Sequence, residues 1–261
     1  MGLFASHLKT AVEAATRAGQ LIRDAFGRAV SVQTKTNARD LVTEVDTRSQ
    51  ETIIGILKRD FPEIPIVAEE GERGSLDGET LWLVDPLDGT TNFTRGIELF
   101  TVAICLSVGG TPVAAAVYHP ILDHLYTAER GQGAHFNSKP LAVSAAGSLD
   151  EFTVSSNLSY RNDERAVILE NIGRLMMKTA GLRLIFSVEL ELCMVARGSF
   201  DAAVVYQANP WDMAAGCLIV REAGGRVTNW SGDEWRITDA NCLASNATAH
   251  DTLLALLYAG A

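Results

Sequence analysis

The stretch LWLVDPLDGTTNF, residues 81–93, sets four apolar residues ahead of two aspartates and a Gly-Thr-Thr-Asn run. LWLV reads as a buried strand ending at Asp85. Asp88 follows three residues later, and no Lys or Arg lies between Leu81 and Phe93. Asp-Pro and Asp-Gly are also ordinary turn chemistry, because Asp and Gly enter tight turns readily. A turn accounts for the stretch taken alone, but an anionic pair at the end of a buried strand needs something to neutralise it.

Working outward, the flanks read as layered α/β structure. Upstream, residues 4–26 carry Phe4, Leu8, Val12, Ala15, Leu21, Ile22 and Phe26 near one helical face. A strand is expected over 28–35, a helix over 47–60 and a short strand over 64–70 that ends in Glu69-Glu70. Downstream, 99–108, 111–120 and 124–129 read as an antiparallel meander with Gly109-Gly110 as a hairpin turn. Past residue 146 strands and helices alternate: FTVSS, a helix near 163–177, LRLIF, a helix near 188–197, DAAVVY, WDMAAGCLIVREAGG, GRVTNW, a strand near 241–245 and a last helix. Alternation of this kind implies an α/β layer structure. The expectation is two lobes of one compact unit, an α+β lobe over 1–145 and an α/β lobe over 146–261.

Composition narrows the function. Of the 261 residues 47% are hydrophobic and 21% charged, as in ordinary globular proteins, and the length supports a sizeable core. Twenty-two basic residues against 32 acidic ones give a net charge of -10. With no Lys/Arg cluster to meet a phosphate backbone, direct nucleic-acid binding is not expected. No apolar run reaches the roughly 20 residues needed to span a membrane, and no secretory signal opens the chain, so a cytoplasmic location is expected. MGLFAS fits an N-myristoylation pattern, but the same residues begin the amphipathic helix, which is the preferred reading. Cys105, Cys193, Cys217 and Cys242 show no paired spacing and read as buried reduced thiols.

The acidic residues that matter share a placement. Glu69 and Glu70 follow one strand, Asp85 and Asp88 another, and Asp212 opens a helix after VVYQANPW. Ligands collect at the carboxyl ends of strands in layered α/β folds. Carboxylates gathered there repel one another, and a hard cation such as Mg²⁺, which takes a few carboxylates, waters and substrate phosphate oxygens, resolves the conflict. Absence of His and Cys disfavours Zn²⁺. Simpler readings stand beside this one: Asp212 and Asp46 as helix N-caps, Glu69 and Glu70 as a solvated loop, Lys35 as an exposed strand-end lysine. Gly89-Thr90-Thr91-Asn92 can open a short helix whose free N–H groups bind a phosphate. Metals on one side and amides on the other would clamp a phosphomonoester for attack by a metal-activated water, with Thr90 passing a proton toward Asp46.

DPLDGTTNF (85–93) resembles the signature of the inositol monophosphatase family, Mg²⁺-dependent and Li⁺-sensitive phosphatases of small phosphorylated metabolites. WDMAAGCLIVREAGG (211–225) is similar to its C-terminal motif, and DLVTEVD (40–46), AEEG (68–71) and YHPILDHLYTAERGQGAHFN (118–137) keep the family's order. The resemblance implies a layered αβαβα sandwich of the inositol monophosphatase/fructose-1,6-bisphosphatase type, a homodimer, and two to three Mg²⁺ per site. It implies Glu69, Asp85, the Leu87 carbonyl, Asp88 and Asp212 as metal ligands. Asp46, Glu69 and Thr90 become catalytic residues, Gly89, Thr90 and Thr91 phosphate-binding ones, and Lys35, Glu70 and Asn92 further candidates.

Substrate positions depart from the family pattern. A glutamate that contacts the substrate ring in inositol phosphatases is here Val205, with Tyr206 and Gln207 beside it. FSVELEL (186–192) places Glu189 where a small residue is usual, and SSNLSY (155–160) replaces a Gly-rich segment. A lost charge-assisted hydrogen bond is worth about 1.5–3 kcal/mol. Glu189 would favour a cationic substrate if it faced the pocket; the bland reading has it in solvent or paired with Arg183. The resemblance implies hydrolysis of an inositol monophosphate-like or sugar phosphate ester. Histidinol phosphate and 3′-phosphoadenosine 5′-phosphate are alternatives, and a regulatory protein contacting a macromolecular partner is the rival of another class.

Overall fold

The computed structural model describes residues 2–257 apart from 36, 38, 39, 72, 73, 160, 162 and 163. Tyr160 of the altered SSNLSY segment and Asp163 at the expected start of a helix lie outside the described residues. In chain order the elements are α1 (Ala5–Ala25), β1 (Val32–Thr34), β2 (Leu41–Thr43), α2 (Glu44–Asp60), β3 (Ile66–Ala68), β4 (Thr80–Asp88), α3 (Thr90–Thr94), β5 (Thr101–Val108), β6 (Thr111–His119), β7 (His124–Glu129), β8 (Ala134–Phe136) and β9 (Lys139–Pro140). There follow β10 (Thr153–Ser156), α4 (Arg165–Met176), β11 (Gly181–Arg183), α5 (Val188–Ala196), β12 (Ala202–Val205), α6 (Ala214–Glu222), β13 (Arg226–Thr228), β14 (Cys242–Ser245) and α7 (His250–Leu256).

Two large sheets result. The first runs β3-β4-β5-β6-β7-β8-β9 and is antiparallel except for the parallel β3/β4 pair; the second runs β11-β10-β12-β14-β13. Side-chain alternation along β4 builds the layers, because successive residues of a strand point to opposite faces. Trp82 and Val84 join the cluster made with Ala11, Ala14, Ala18 and Ile53 of α1 and α2. Leu81 and Leu83 join the cluster made with α5, α6 and the inner face of the second sheet. Leu175 of α4 and Leu253 of α7 cover that sheet's outer face with Val154, Val204 and Leu243. The order is therefore αβαβα, as expected. Each sheet is buried on both faces, which explains its near-continuous apolar runs.

Several boundaries move. The expected strand 28–35 shortens to Val32–Thr34, and LRLIF pairs only through Arg183, because Phe186 turns to a left-handed backbone. The buried stripe of α1 is the small one, Ala11, Ala14, Ala15, Ala18, Gly19 and Ile22, with the larger Phe4, Leu8 and Leu21 flanking it half-buried. Gly109 and Gly110 form the expected hairpin turn, with φ of 56° and 74° between paired Val108 and Thr111, the positive pair that a two-residue turn of this hand requires. All four cysteines are buried and free. Among the described residues no helix is long and apolar enough to cross a membrane.

Candidate active site

The site begins with an irregularity in β4. Residues three apart on a regular strand face opposite sides. β4 instead carries a bulge: Asp85 stands opposite Ala103 and Asp88 opposite Thr101, so three steps on one strand match two on the other. The extra residue turns both aspartates to one pocket, and Pro86, which has no N–H for a ladder, suits the bulge. Strand pairing thus runs on through Asp88 rather than stopping at Asp85. Ser49 Oγ of α2 donates to the Pro86 carbonyl at 2.7 Å, and Leu87 N donates to Asp85 Oδ1 at 3.0 Å, fixing the bend. Gly89 then takes φ 97°, and a Cβ there would stand 2.8 Å from the Leu99 carbonyl oxygen, so a side chain is excluded.

A pocket of about 400 Å³ opens over this bend. Lys35, Glu69, Asp85, Leu87, Asp88, Gly89, Thr90 and Asp212 all line it. Asp46 lies directly behind: Thr90 Oγ1 donates to its Oδ1 at 2.9 Å, while Thr43 N and Thr43 Oγ1 donate to its Oδ2 at 2.8 and 2.5 Å. Thr43 is the N-cap of α2, so Asp46 serves as the third residue of a capping box and not as the cap itself. Asp212 plays the same part in the turn Pro210–Asp212, its Oδ2 accepting from Asn209 N at 2.8 Å. Lys35 is not an exposed strand-end residue. Its Nζ donates to Glu69 Oε1 at 2.8 Å and also to Glu70 Oε1.

Electrostatics reflect the crowding of like charge. Burial, then the charges of Glu69, Asp88 and Asp212, pushes Asp85 well above the usual carboxylate range. Burial raises Asp88 to about 6 against the pull of its Ser187 and Thr101 hydrogen bonds, and raises Asp212 to about 8 with help from Glu69. Burial followed by the Glu69 charge lifts Glu70 to about 7, and burial also raises Asp46. Burial works against the charge of Lys35, but Glu69 and Glu70 outweigh it and its pKa is raised.

Among the described residues no three His, Cys, Asp or Glu side chains stand gathered in a set that holds an ion directly. Each carboxylate instead rests on local donors: Asp85 on Leu87 N, Asp88 on Ser187 Oγ, Thr101 Oγ1 and the amides of Val188 and Glu189, Asp212 on Asn209, Glu69 on Lys35. The donor chemistry nevertheless fits Mg²⁺. It is all oxygen and carboxylate-rich, with Asp85 and Asp88 buried and Glu69 and Asp212 partly so.

Three expected specificity residues are elsewhere. Glu189 neither faces the pocket nor pairs with Arg183. It is fully buried, its two oxygens accepting from Ala215 N at 3.1 Å and Gly216 N at 2.6 Å at the start of α6. A carboxylate is satisfied there because the first amides of a helix have no partner within it. Val205 is in the core between the sheets, and the Tyr206 ring lies tilted against Trp230, 5.2 Å between centroids, without lining the pocket. Of the expected phosphate residues, Thr91 does not line the pocket, and its buried hydroxyl has no hydrogen-bond partner among the described residues. Asn92 is structural: its Nδ2 donates to the carbonyls of Leu99 and Ile185, both at 2.7 Å. Glu70 lies behind Lys35, outside the pocket lining.

Sequence reasoning missed Thr43 and Ser187, which hold Asp46 and Asp88, and it gave no role to the pocket-lining Asn157, Phe186, Val188 and Gln207, which lie in or beside the stretches it marked as altered. Thr43 carried a readable signal, the S/T-x-x-D spacing ahead of an apolar run. Ser187 carried none, since its partner lies 99 residues away.

Known proteins give the same outline. The inositol monophosphatase family model matches residues 5–259. Inositol monophosphatase 3 of Solanum lycopersicum is 37% identical over 257 residues, covering 96% of either chain. Nus factor SuhB of Escherichia coli is 36% identical over 251 residues, covering 95% of this chain and 94% of that one. The crystal structure of extragenic suppressor protein suhB from Bartonella henselae superposes with a TM-score of 0.91 at 34% identity, covering 98% of this chain and 100% of that one. Sequence and fold agree over nearly the whole molecule, and the chain belongs to the inositol monophosphatase family, a family of phosphatases.

Proposed function

We propose that the pocket hydrolyses small phosphomonoesters, inositol monophosphate-like or sugar phosphates, with Mg²⁺ as cofactor. The observation that carries this reading is that Glu69, Asp85, Asp88 and Asp212 line one pocket beside the Thr90–Asp46 hydrogen bond. Glu69, Asp85, the Leu87 carbonyl, Asp88 and Asp212 would hold two to three cations. When bound, Mg²⁺ neutralises phosphate oxygens and lowers the pKa of water. Thr90 Oγ1, already 2.9 Å from Asp46 Oδ1, passes a proton from the attacking water to that carboxylate, and Glu69 helps to orient the water. Gly89 and Thr90 face the phosphate, and Lys35 holds Glu69 in place.

The test is phosphate release across inositol 1-phosphate, fructose 1,6-bisphosphate, histidinol phosphate, 3′-phosphoadenosine 5′-phosphate and glycerol phosphate, with Mg²⁺ and with EDTA. Turnover that vanishes in EDTA, returns with Mg²⁺ and falls with added Li⁺ is the expected result. Metal-independent turnover would sink the mechanism. The buried position of Glu189 removes its support for a cationic substrate, so histidinol phosphate should not lead the ranking.

A second reading, regulation through contacts with a macromolecular partner, is supported by the name of the relative Nus factor SuhB. It predicts a partner function that survives loss of phosphatase activity. Both readings place the protein in the cytoplasm. A homodimer is supported by the apolar face that Leu169 and Met176 expose on α4, continued by Met177. Light scattering should give twice the chain mass, and Met176→Glu should shift it toward the monomer; a monomeric wild type would refute the dimer.

A further inference from the structure

We propose that Phe186 selects the leaving group, so that the pocket favours phosphomonoesters whose alcohol carries a flat apolar face over polyhydroxylated ones. The inference rests on the phosphatase reading above and adds a substrate class to it.

Phe186 is in the wrong conformation for its side chain. Its φ is 58°, a left-handed backbone that a bulky residue rarely adopts and a glycine adopts freely. Such strain persists where surroundings over-determine it, and here they do. Ile185 N, just before it, donates to the buried Glu191 Oε1 at 3.1 Å. Asn92 Nδ2 holds the Ile185 carbonyl, while Ser187 Oγ, Val188 N and Glu189 N all donate to Asp88. None of these contacts uses the phenyl ring.

The ring does not stabilise the core either. Phe186 is 37% exposed and belongs to none of the three apolar clusters. Glycine would satisfy the backbone with less strain, so what the ring adds is surface in the pocket. It lines the pocket together with Leu41, Leu158, Val188 and Ala208, in a lining that also holds Asn157, Gln207 and the carboxylates. Gln207, with φ 49°, is a second strained non-glycine residue lining the same pocket. An aromatic face gains by covering a flat apolar surface and offers hydroxyls no partner for the water they lose. With phosphate at the carboxylates, a planar apolar group laid on the exposed Phe186 ring is the leaving group this residue favours.

The experiment compares wild type with Phe186→Gly. The first readout is the ratio of kcat/KM for 2-naphthyl phosphate to that for inositol 1-phosphate, in Mg²⁺; comparing proteins cancels the intrinsic reactivity of the two esters. The second is binding of 2-naphthol in EDTA, followed by its fluorescence, which needs neither metal nor turnover. The ratio should fall about tenfold in the variant, 2-naphthol binding should weaken several-fold, and the Tm should hold or rise, as glycine relieves the strain. An unchanged ratio with unchanged 2-naphthol affinity overturns the proposal. So does a lower Tm with both kcat/KM values falling together, which would mark Phe186 as structural. If wild type turns over neither ester, the phosphatase reading fails, and the 2-naphthol comparison still decides whether the ring binds planar groups.

Discussion

Asp85→Asn is expected to lower phosphate release by roughly 10²–10³-fold while making the metal-free protein more stable at alkaline pH. The loss follows from removing one charge from a preorganised site, where single electrostatic partners carry effects of that size. The gain follows from the sign of the pKa shift. Burial and the charges of Glu69, Asp88 and Asp212 hold Asp85 well above its unfolded value. A carboxyl whose pKa is raised on folding stabilises the protein below its unfolded pKa, and that contribution is lost as pH rises through the folded value. With Asp88 near 6 and Asp212 near 8, metal-free wild type should lose stability steadily between about pH 4 and 8. The amide of the Asp85→Asn variant would carry no charge through that window, so the two melting curves should separate progressively as pH rises above the usual carboxylate range.

Mg²⁺ at about a hundred times its Kd should stabilise wild type by about 2.7 kcal/mol, or roughly 5–10 °C in Tm for a chain of this size, and do far less for the variant. Asp85 is a better probe than Asp88. Asp88 accepts from Ser187, Thr101, Val188 and Glu189, so an amide there would set its NH₂ against a donor and disturb the 185–189 segment. Asp85 accepts from Leu87 N, a bond that an asparagine oxygen still accepts. Activity within about tenfold of wild type, or an equal response to Mg²⁺, would remove Asp85 from the metal site. The same variant separates the two functional readings, since a regulatory contact should survive it.

Gly216→Ala is expected to destabilise the fold by about 3 kcal/mol, the upper end of overpacking costs, and to lower Tm by roughly 6–12 °C. A Cβ at 216 would stand 2.4 Å from Leu192 Cβ and 2.7 Å from Glu189 Oε2. Both neighbours are fully buried on α5, between two sheets that leave no room for retreat. The displaced carboxylate would also lose its bonds to Ala215 N and Gly216 N and become an unpaired buried acid. Thermal melts of Gly216→Ala, Leu192→Gly and the double variant test this. Leu192→Gly removes the Cβ that the new methyl meets, so the double variant should be more stable than the sum of the two losses implies, by about 1 kcal/mol or more. Strict additivity would show that the two side chains do not compete for one volume.

How legible the site was depended on where each residue's partners lie in the chain. Asp46 was readable in part: the Thr90 contact expected of it is present, but Thr43, three residues before it, is the cap of α2, the role the simpler reading gives Asp46. Glu189 was not. Its position in the sequence suggested the pocket, yet its partners are the amides of Ala215 and Gly216, reached only when α5 packs on α6. Val205 was misplaced for a related reason. Alternation along β12 puts it on the face that packs against the central helices, and that face is chosen by the layer beneath it. Phe186 looked like the end of a strand, and nothing local predicts that Asn92 and Glu191, holding Ile185, and Asp88, holding Ser187, would flank a left-handed backbone there.

By itself the sequence determined the layered α/β class, the meander with its Gly109-Gly110 turn, and the gathering of Glu69, Asp85, Asp88 and Asp212 at the ends of elements. Those features follow from periodicity, turn chemistry and the cost of unneutralised charge, which act over a few residues. Tertiary structure alone decided that two aspartates three apart share one face, because that requires the β4 bulge and its pairing with β5. It alone decided which of the remaining polar residues line the pocket and which are buried struts, because that choice is made by packing between segments about a hundred residues apart.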